Sequence, residues 1–182
     1  MRLIPMRMEH LDALCAIGLE PSIWRWMPFQ VRDRAGMQGF ISDALAEQEH
    51  GSVVPYVTTL ADSGAVVGST RFMSIVRPHG RVEIGGTWIA PAYQRTRVNT
   101  EAKYLMLRHA FEAWQCQRVE FKTNSLNAPS RAALLRLGAV EEGTFRKHMW
   151  NQDGSVRHSV YFSIVDDEWP QVKSRLEAWL AA

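Results

Sequence analysis

The sequence has 182 residues, of which 46% are hydrophobic and 22% are charged, and its formal net charge is +2. This length and composition fit one compact domain over residues 1–182 with a sizeable core. The small net charge and the short basic clusters argue against a nucleic-acid-binding face.

The sequence also argues against a membrane protein and a metalloprotein. Its longest apolar run is well short of the about 18 residues that a spanning helix needs, and its N-terminus lacks a signal-peptide pattern. Cys15 and Cys116 are far apart in helix-like apolar surroundings, which favours buried free thiols over a zinc site. We therefore expect a soluble cytoplasmic protein that binds no metal.

The first half of the chain predicts a strand, two helices and a three-stranded meander. Helices are assigned from apolar residues at helical spacing and strands from alternating or β-branched runs between turns. The predicted elements are a strand over 1–6, helices over 9–19 and 32–49, and strands over 53–60, 65–76 and 81–90.

The second half predicts three helices and three strands. Asn99 or Thr100 is expected to cap the first helix, and Gly138 is expected to end the second. The predicted elements are a helix over 99–115, a strand over 119–123, a helix capped by Asn127, strands over 140–150 and 156–165, and a last helix capped by Asp166 or Asp167. This order is typical of a mixed-sheet α/β or α+β domain.

An aromatic segment lies between the first two helices. Trp24, Trp26 and Phe29 surround Pro28, which makes the segment a poor helix interior. Two interpretations stay open: the rings form a satellite core, or they form one wall of a ligand pocket.

The most informative stretch runs from 83 to 102. A strand ends at Pro91, a polar loop carries Arg95 and Arg97, and a helix rich in Ala and Leu follows. The free N–H groups of a first helical turn and the helix dipole attract anions, and the two arginines add positive charge. This pattern predicts a phosphate-binding turn.

The element order and two motifs resemble the GNAT superfamily of acyl-CoA-dependent N-acetyltransferases. The motifs are Glu-Ile-Gly-Gly-Thr-Trp-Ile at 83–89 and Tyr-Gln-Arg at 93–95, and they look like the branch that includes the ribosomal-protein alanine and serine N-acetyltransferases. The family's phosphate loop, Gln/Arg-x-x-Gly-x-Gly/Ala, matches residues 94–99, with Arg97 and Asn99 in place of the two small residues. Glycine serves where backbone approaches phosphate or adopts φ > 0. The Arg97 side chain could therefore point away, grip a phosphate, or mark weaker CoA binding.

The resemblance implies a GNAT-like acyl-CoA N-acyltransferase fold, a central twisted mixed sheet of about six to seven strands flanked by helices. It implies an enzyme that uses acetyl-CoA as cosubstrate and acetylates a primary amine, on a protein N-terminus or a small molecule, by direct attack on the thioester. The residues that it implies for acetyl-CoA binding are Trp88, Ile89, Gln94, Arg95, Thr96, Arg97, Val98, Asn99, Thr100, Asn127 and Ser130.

Acetyl transfer needs a base for the amine, a donor to the thioester carbonyl and a group that stabilises the departing thiolate. Glu83 is the candidate base, with a surface carboxylate paired to Arg71 or Arg81 as the alternative. The resemblance gives the Ile89 N–H as the carbonyl donor.

The tyrosine that many family members place on the fourth helix is replaced by Leu134, so Ser130 is the candidate near the sulfur, ahead of Tyr93 and Tyr161.

The acceptor pocket is predicted from aromatic side chains, and two other functions compete with catalysis. The predicted acceptor contacts are Trp24, Trp26, Phe29 and Trp88.

A non-catalytic acyl-CoA-binding or regulatory module would account for the missing tyrosine and for Arg97. A nucleotide-binding domain is disfavoured because no Gly-Lys-Ser/Thr loop occurs. A homodimer is plausible, since the sheet edges and the late tryptophans need cover.

Overall fold

The computed structural model describes residues 1–181, and a seven-stranded mixed sheet forms its centre. The strands are β1 (Arg2–Pro5), β2 (Val54–Thr59), β3 (Val66–Val76), β4 (Arg81–Ile89), β5 (Arg118–Asn124), β6 (Val140–Trp150) and β7 (Val156–Val165). They lie in the order β1-β2-β3-β4-β5-β7-β6. Every pair is antiparallel except β4 and β5, which run parallel.

Six α-helices cover the two sides of the sheet. They are α1 (Leu11–Gly18), α2 (Pro21–Trp24), α3 (Arg34–Glu49), α4 (Arg97–Arg108), α5 (Ala128–Leu137) and α6 (Trp169–Ala181). Buried side chains of α4, α5 and α6 pack in one core cluster, and those of α1 and α3 pack in another. We call the two sides of the sheet the α4 face and the α1 face. No helix within residues 1–181 is long and apolar enough to cross a membrane.

The mixed sheet flanked by helices confirms the predicted fold class. Capping residues, turns and apolar spacing also predicted the approximate bounds of most helices and strands. Asn127 caps α5 by accepting a hydrogen bond from Ser130 N, and Gly138 ends that helix in the left-handed conformation. In α3, Met37, Phe40, Ile41 and Ala44 recur at helical spacing and are all buried. The amphipathic pattern of α3 therefore sets which side of the helix meets the sheet.

Three details of the prediction were wrong. Thr96 rather than Asn99 or Thr100 caps α4, because its extended backbone lets its hydroxyl accept from Val98 N. A short 3₁₀ turn over Asp166–Glu168 precedes α6, so neither aspartate is the simple cap that was expected. The chain over His109–Ala113 forms a π-helical turn, so the predicted helix over 99–115 does not continue as one regular α-helix.

Candidate active site

A gap opens in the middle of the sheet where β4 and β5 separate. The two strands pair only over Arg81–Glu83 and Arg118–Glu120, whereas β4 stays paired with β3 as far as Ile89. The second half of β4 therefore presents a main-chain edge that β5 does not cover. Unpaired main-chain groups of this kind can bind an extended ligand as another strand would.

A β-bulge at Gly86 shapes this edge. The register between β3 and β4 shifts between Ser69 and Arg71, and Gly86 has a φ of 56°. A Cβ atom on Gly86 would lie 2.7 Å from Arg71 Nε, so both the backbone conformation and the space favour glycine. The extra residue changes which side chains face which side of the sheet. Ile84 packs on the α4 face, while Trp88 packs on the α1 face.

The main chain of Ile89 faces the gap. Ala90 N donates to Val67 O at 2.9 Å, and main-chain groups in an antiparallel ladder alternate between the two edges of a strand. Ile89 N–H is therefore directed away from β3, while the groups of Trp88 are directed towards it. The carbonyl of Ile89 accepts from Gln94 Nε2 at 2.9 Å, which ties the following loop to the strand.

The predicted phosphate-binding turn has the backbone of an anion site. Arg95 has a φ of 63°, and Thr96 Oγ1 donates to Tyr93 O at 2.7 Å and accepts from Val98 N at 3.3 Å. The first-turn amides of α4 point out of the helix beside the exposed residues Arg95 and Arg97. Peptide N–H groups and formal charge together suit a pyrophosphate.

The positive φ that glycine favours occurs at Arg95 and not at Arg97, where the family's loop has a glycine. Arg97 is the first residue of α4 and is not among the residues with positive φ. Its guanidinium donates to Leu180 O at 3.1 Å, at the end of α6. The Arg97 side chain is therefore directed towards α6 in this structure, and its effect on CoA binding stays a prediction.

Asn127 and Ser130 begin the helix on the other side of the gap. Both are half-buried at the start of α5, where Asn127 Oδ1 accepts from Ser130 N at 3.2 Å. The core contacts of Leu134 and Leu137 place α5 on the α4 face. The two polar side chains therefore stand at the same side of the sheet as the phosphate-binding turn.

Glu83 is buried and faces the opposite side. It is 4% exposed, and its Oε2 lies 3.3 Å from Lys122 Nζ. Arg81 instead pairs with Glu120, and Arg71 pairs with Glu47. The alternative of a surface carboxylate paired with Arg71 or Arg81 is therefore wrong.

A cavity of about 380 Å³ opens beside Glu83 on the α1 face of the sheet. Its walls combine acidic and basic side chains with the rings of Phe145 and Tyr161, which are tilted with centroids 4.4 Å apart. Glu120 and Lys122 also line it, from β5. Such a cavity can hold a polar ligand with an apolar part.

The predicted aromatic contacts divide into core and surface. Trp24 is fully buried, donates from Nε1 to Gly18 O at 2.7 Å, and packs 5.5 Å from Trp88. Trp88 is 3% exposed, whereas Trp26 and Phe29 are half-buried. Trp24 and Trp88 thus occupy the satellite core, and of the four rings only Trp26 and Phe29 keep appreciable surface for a ligand.

Sequence reasoning missed one polar residue at the gap, Lys103. Its Nζ donates to Thr87 Oγ1 at 2.6 Å, and the residue is only 6% exposed. Burial lowers the pKa of Lys103 to about 7, although the carboxylate of Glu83 opposes this change. Lys103 lies at helical spacing with the buried Met106, Leu107 and Ala110, and this pattern could have identified it as inward-facing.

A family model described as an acetyltransferase (GNAT) domain matches residues 1–140. Among curated proteins, the chain is 29% identical over 106 residues to "Putative ribosomal N-acetyltransferase YdaF" of Bacillus subtilis (strain 168). That match covers 58% of this chain and 57% of YdaF, so the two align over little more than half of their lengths.

Solved structures match over nearly the whole chain. A GCN5-related N-acetyltransferase from Brucella melitensis has 30% identity and a TM-score of 0.90, over 98% of this chain and 81% of that chain. RimJ of Mycobacterium smegmatis, solved in complex with CoA-disulfide, has 28% identity and a TM-score of 0.84, over 97% of this chain and 87% of that chain.

Proposed function

This chain belongs to the GNAT acetyltransferase family, and we propose that it transfers an acetyl group from acetyl-CoA to a primary amine. One observation supports the proposal: the gap between β4 and β5 begins beside the buried carboxylate of Glu83 and leads to the N-terminus of α4, whose free N–H groups suit an anion. That arrangement suits a ligand with an extended arm and a pyrophosphate at one end of it.

The residues at the gap fit the parts of acetyl-CoA. Main-chain N–H groups from Arg95 to Thr100 would hold the pyrophosphate, with Thr96 fixing the turn. The N–H of Ile89 would bind the arm or the thioester carbonyl. Its carbonyl is held by Gln94, so Gln94 contributes by shaping the site. Asn127 would contact the arm from α5, and this role is compatible with its position as a helix cap.

The acceptor would enter from the cavity on the α1 face, where Glu83 lies. In the proposed direct attack, Glu83 accepts the proton that the amine must lose, itself or through a water molecule. Ile89 N–H stabilises charge on the carbonyl oxygen. Ser130 stands on the α4 face, which is the side of the departing sulfur, and its hydroxyl is the proposed hydrogen-bond donor to it.

The acceptor class proposed here is a primary amine on a protein N-terminus or a small molecule. The cavity is lined by both acidic and basic side chains, which suits a zwitterionic acceptor better than one with a large net charge. The name of the YdaF relative points towards ribosomal protein substrates. Trp26 and Phe29 stay proposed contacts for an apolar part of the acceptor, and a homodimer and a cytoplasmic location stay predictions.

Calorimetric titration tests the cofactor site. Acetyl-CoA is expected to bind with a dissociation constant in the range of typical KM values, about 1 μM to 1 mM. ATP, which lacks the arm that would lie along β4, should bind at least about tenfold more weakly, a difference of roughly 1.4 kcal/mol. Equal affinity for ATP and acetyl-CoA would point to a nucleotide site and against the proposal.

The second candidate, a non-catalytic acyl-CoA-binding module, predicts the same binding. The buried Glu83 beside an open cavity favours catalysis. Burying a carboxylate costs free energy, and binding CoA alone does not require a carboxylate at this position. Amine-dependent release of free thiol separates the two candidates.

A further inference from the structure

Two ionisable groups approach the gap from opposite faces of the sheet. Val82 and Ile84 pack on the α4 face, so Glu83 between them points to the α1 face, where the cavity lies. Lys103 comes from α4 and therefore reaches the gap from the α4 face. The carboxylate of Glu83 raises the pKa of Lys103, so the two groups interact electrostatically although they come from opposite faces of the sheet.

Lys103 is held in place by a small hydroxyl network. Its Nζ donates to Thr87 Oγ1, which is also 2.7 Å from Thr70 Oγ1. The same Nζ lies 5.8 Å from the centre of the Phe121 ring on β5. Thr87 is the residue after the bulge at Gly86, so the network places the ammonium group under the uncovered half of β4.

The ammonium group has hydrogen-bonding capacity that this network does not use. A protonated lysine has three N–H donors, and Thr87 is its one hydrogen-bond partner among residues 1–181. A buried cation with unused donors is costly. An anionic atom in the gap would therefore be stabilised by Lys103 and would stabilise it in turn.

We propose that Lys103 supplies the positive charge that stabilises the thiolate of CoA as it leaves during acetyl transfer. This inference rests on the proposed function, since it assumes that acetyl-CoA enters the gap from the α4 face. The two faces of the sheet then have different tasks. Glu83 receives a proton on the acceptor side, and Lys103 stabilises negative charge on the sulfur side.

The step balances with groups that the site contains. The amine nitrogen forms a bond to the acetyl carbon while the carbon–sulfur bond breaks, and the electron pair of that bond goes to the sulfur. The proton from the nitrogen goes to Glu83, and Lys103 either pairs with the thiolate or gives it a proton. In the second case the proton on Glu83 restores the Lys103 ammonium, and the products are the amide and the free thiol.

The pKa of about 7 for Lys103 suits both tasks at neutral pH. An ordinary lysine, with a pKa of about 10.4, would hold its proton too tightly to give it to a thiolate. Glu83 from β4 raises this pKa, and Lys122 from β5 lies beyond Glu83 on the α1 face. A thiolate next to Lys103 would raise it further.

The test measures the ionisation of the bound thiol rather than turnover. Free CoA is bound to the protein, and the thiolate absorbance of the complex is followed in a pH titration. In the wild type, bound CoA should hold about tenfold more thiolate than CoA in solution at a pH well below the pKa of either thiol, because a nearby cation lowers a thiol pKa by about one or more. Lys103→Met should lose most of this difference, and Lys103→Arg should keep it.

Lys122→Met is the matched control, because it removes an equal charge on the acceptor face. It should change the thiolate fraction much less than Lys103→Met. If bound and free CoA ionise alike in the wild type, the role of Lys103 is refuted, even where Lys103→Met fails to fold. The same holds if Lys103→Met binds CoA and leaves the thiolate fraction unchanged. If the wild type binds no CoA, the proposed function fails and the Lys103 proposal fails with it.

Discussion

Replacing Glu83 with Gln is expected to lower kcat by about 10²-fold or more, because the amine then lacks the group that accepts its proton. The affinity for acetyl-CoA should stay close to that of the wild type, since Glu83 faces the cavity on the α1 face and the predicted cofactor contacts lie elsewhere. Glutamine also keeps an oxygen that can accept from Lys122 Nζ, now 3.3 Å from Glu83. Initial rates at saturating acetyl-CoA and calorimetry measure the two effects.

Glu120→Gln is the matched control for this substitution. Glu120 lies opposite Glu83 in the β4–β5 register and lines the same cavity, but it is already engaged by Arg81 and Arg118. We expect a smaller loss of kcat from it than from Glu83→Gln. An unchanged kcat in Glu83→Gln at pH 7, or a larger loss in Glu120→Gln, would show that Glu83 is not the base.

Replacing Trp24 with Ala should lower the free energy of unfolding by about 3–5 kcal/mol, as for other large-to-small changes in a packed core. Trp24 is fully buried and packs against Phe29, Phe40 and Trp88 at centroid distances of 5.5 to 5.7 Å. Its removal would also leave Gly18 O without the indole donor. Urea unfolding followed by circular dichroism measures the change.

Trp150→Ala removes an equally large ring from the surface, where Trp150 is 71% exposed. Its effect should stay within about 0.5 kcal/mol, as for most surface substitutions. The pair of variants separates the two interpretations of the aromatic segment. A Trp24→Ala protein of normal stability with a raised KM for the acceptor would restore the pocket-wall interpretation.

Local signals were sufficient for most of the fold. Asn127 and Gly138 each act within a few residues, so their effect can be predicted without the tertiary structure. The start of α4 could not be placed in this way, because Thr96, Asn99 and Thr100 are all capping residues. What selects Thr96 is its extended backbone, which follows the positive φ of Arg95.

The candidate site was only partly predictable because its contacts are long-range in sequence. Glu83 could be picked out as a carboxylate on the central strand. Its partner Lys122 lies on β5, and no local pattern connects the two. The bulge at Gly86 places Trp88 on the face opposite Ile84, a change that alternation along the strand does not predict. The helical spacing of Lys103 with buried residues of α4 indicates that it faces inward, but its partner Thr87 lies on β4, so no local pattern shows what its ammonium group contacts.

Amine-dependent thiol release tests the central claim most directly. The protein is incubated with acetyl-CoA and a panel of primary amines that includes peptide N-termini, and free thiol and acetylated amine are both quantified. We expect release of one thiol for each amide formed with at least one amine, and a strong loss of this release in Glu83→Gln. Saturable binding of acetyl-CoA with no amine-dependent release across the panel would contradict it and would favour the non-catalytic module.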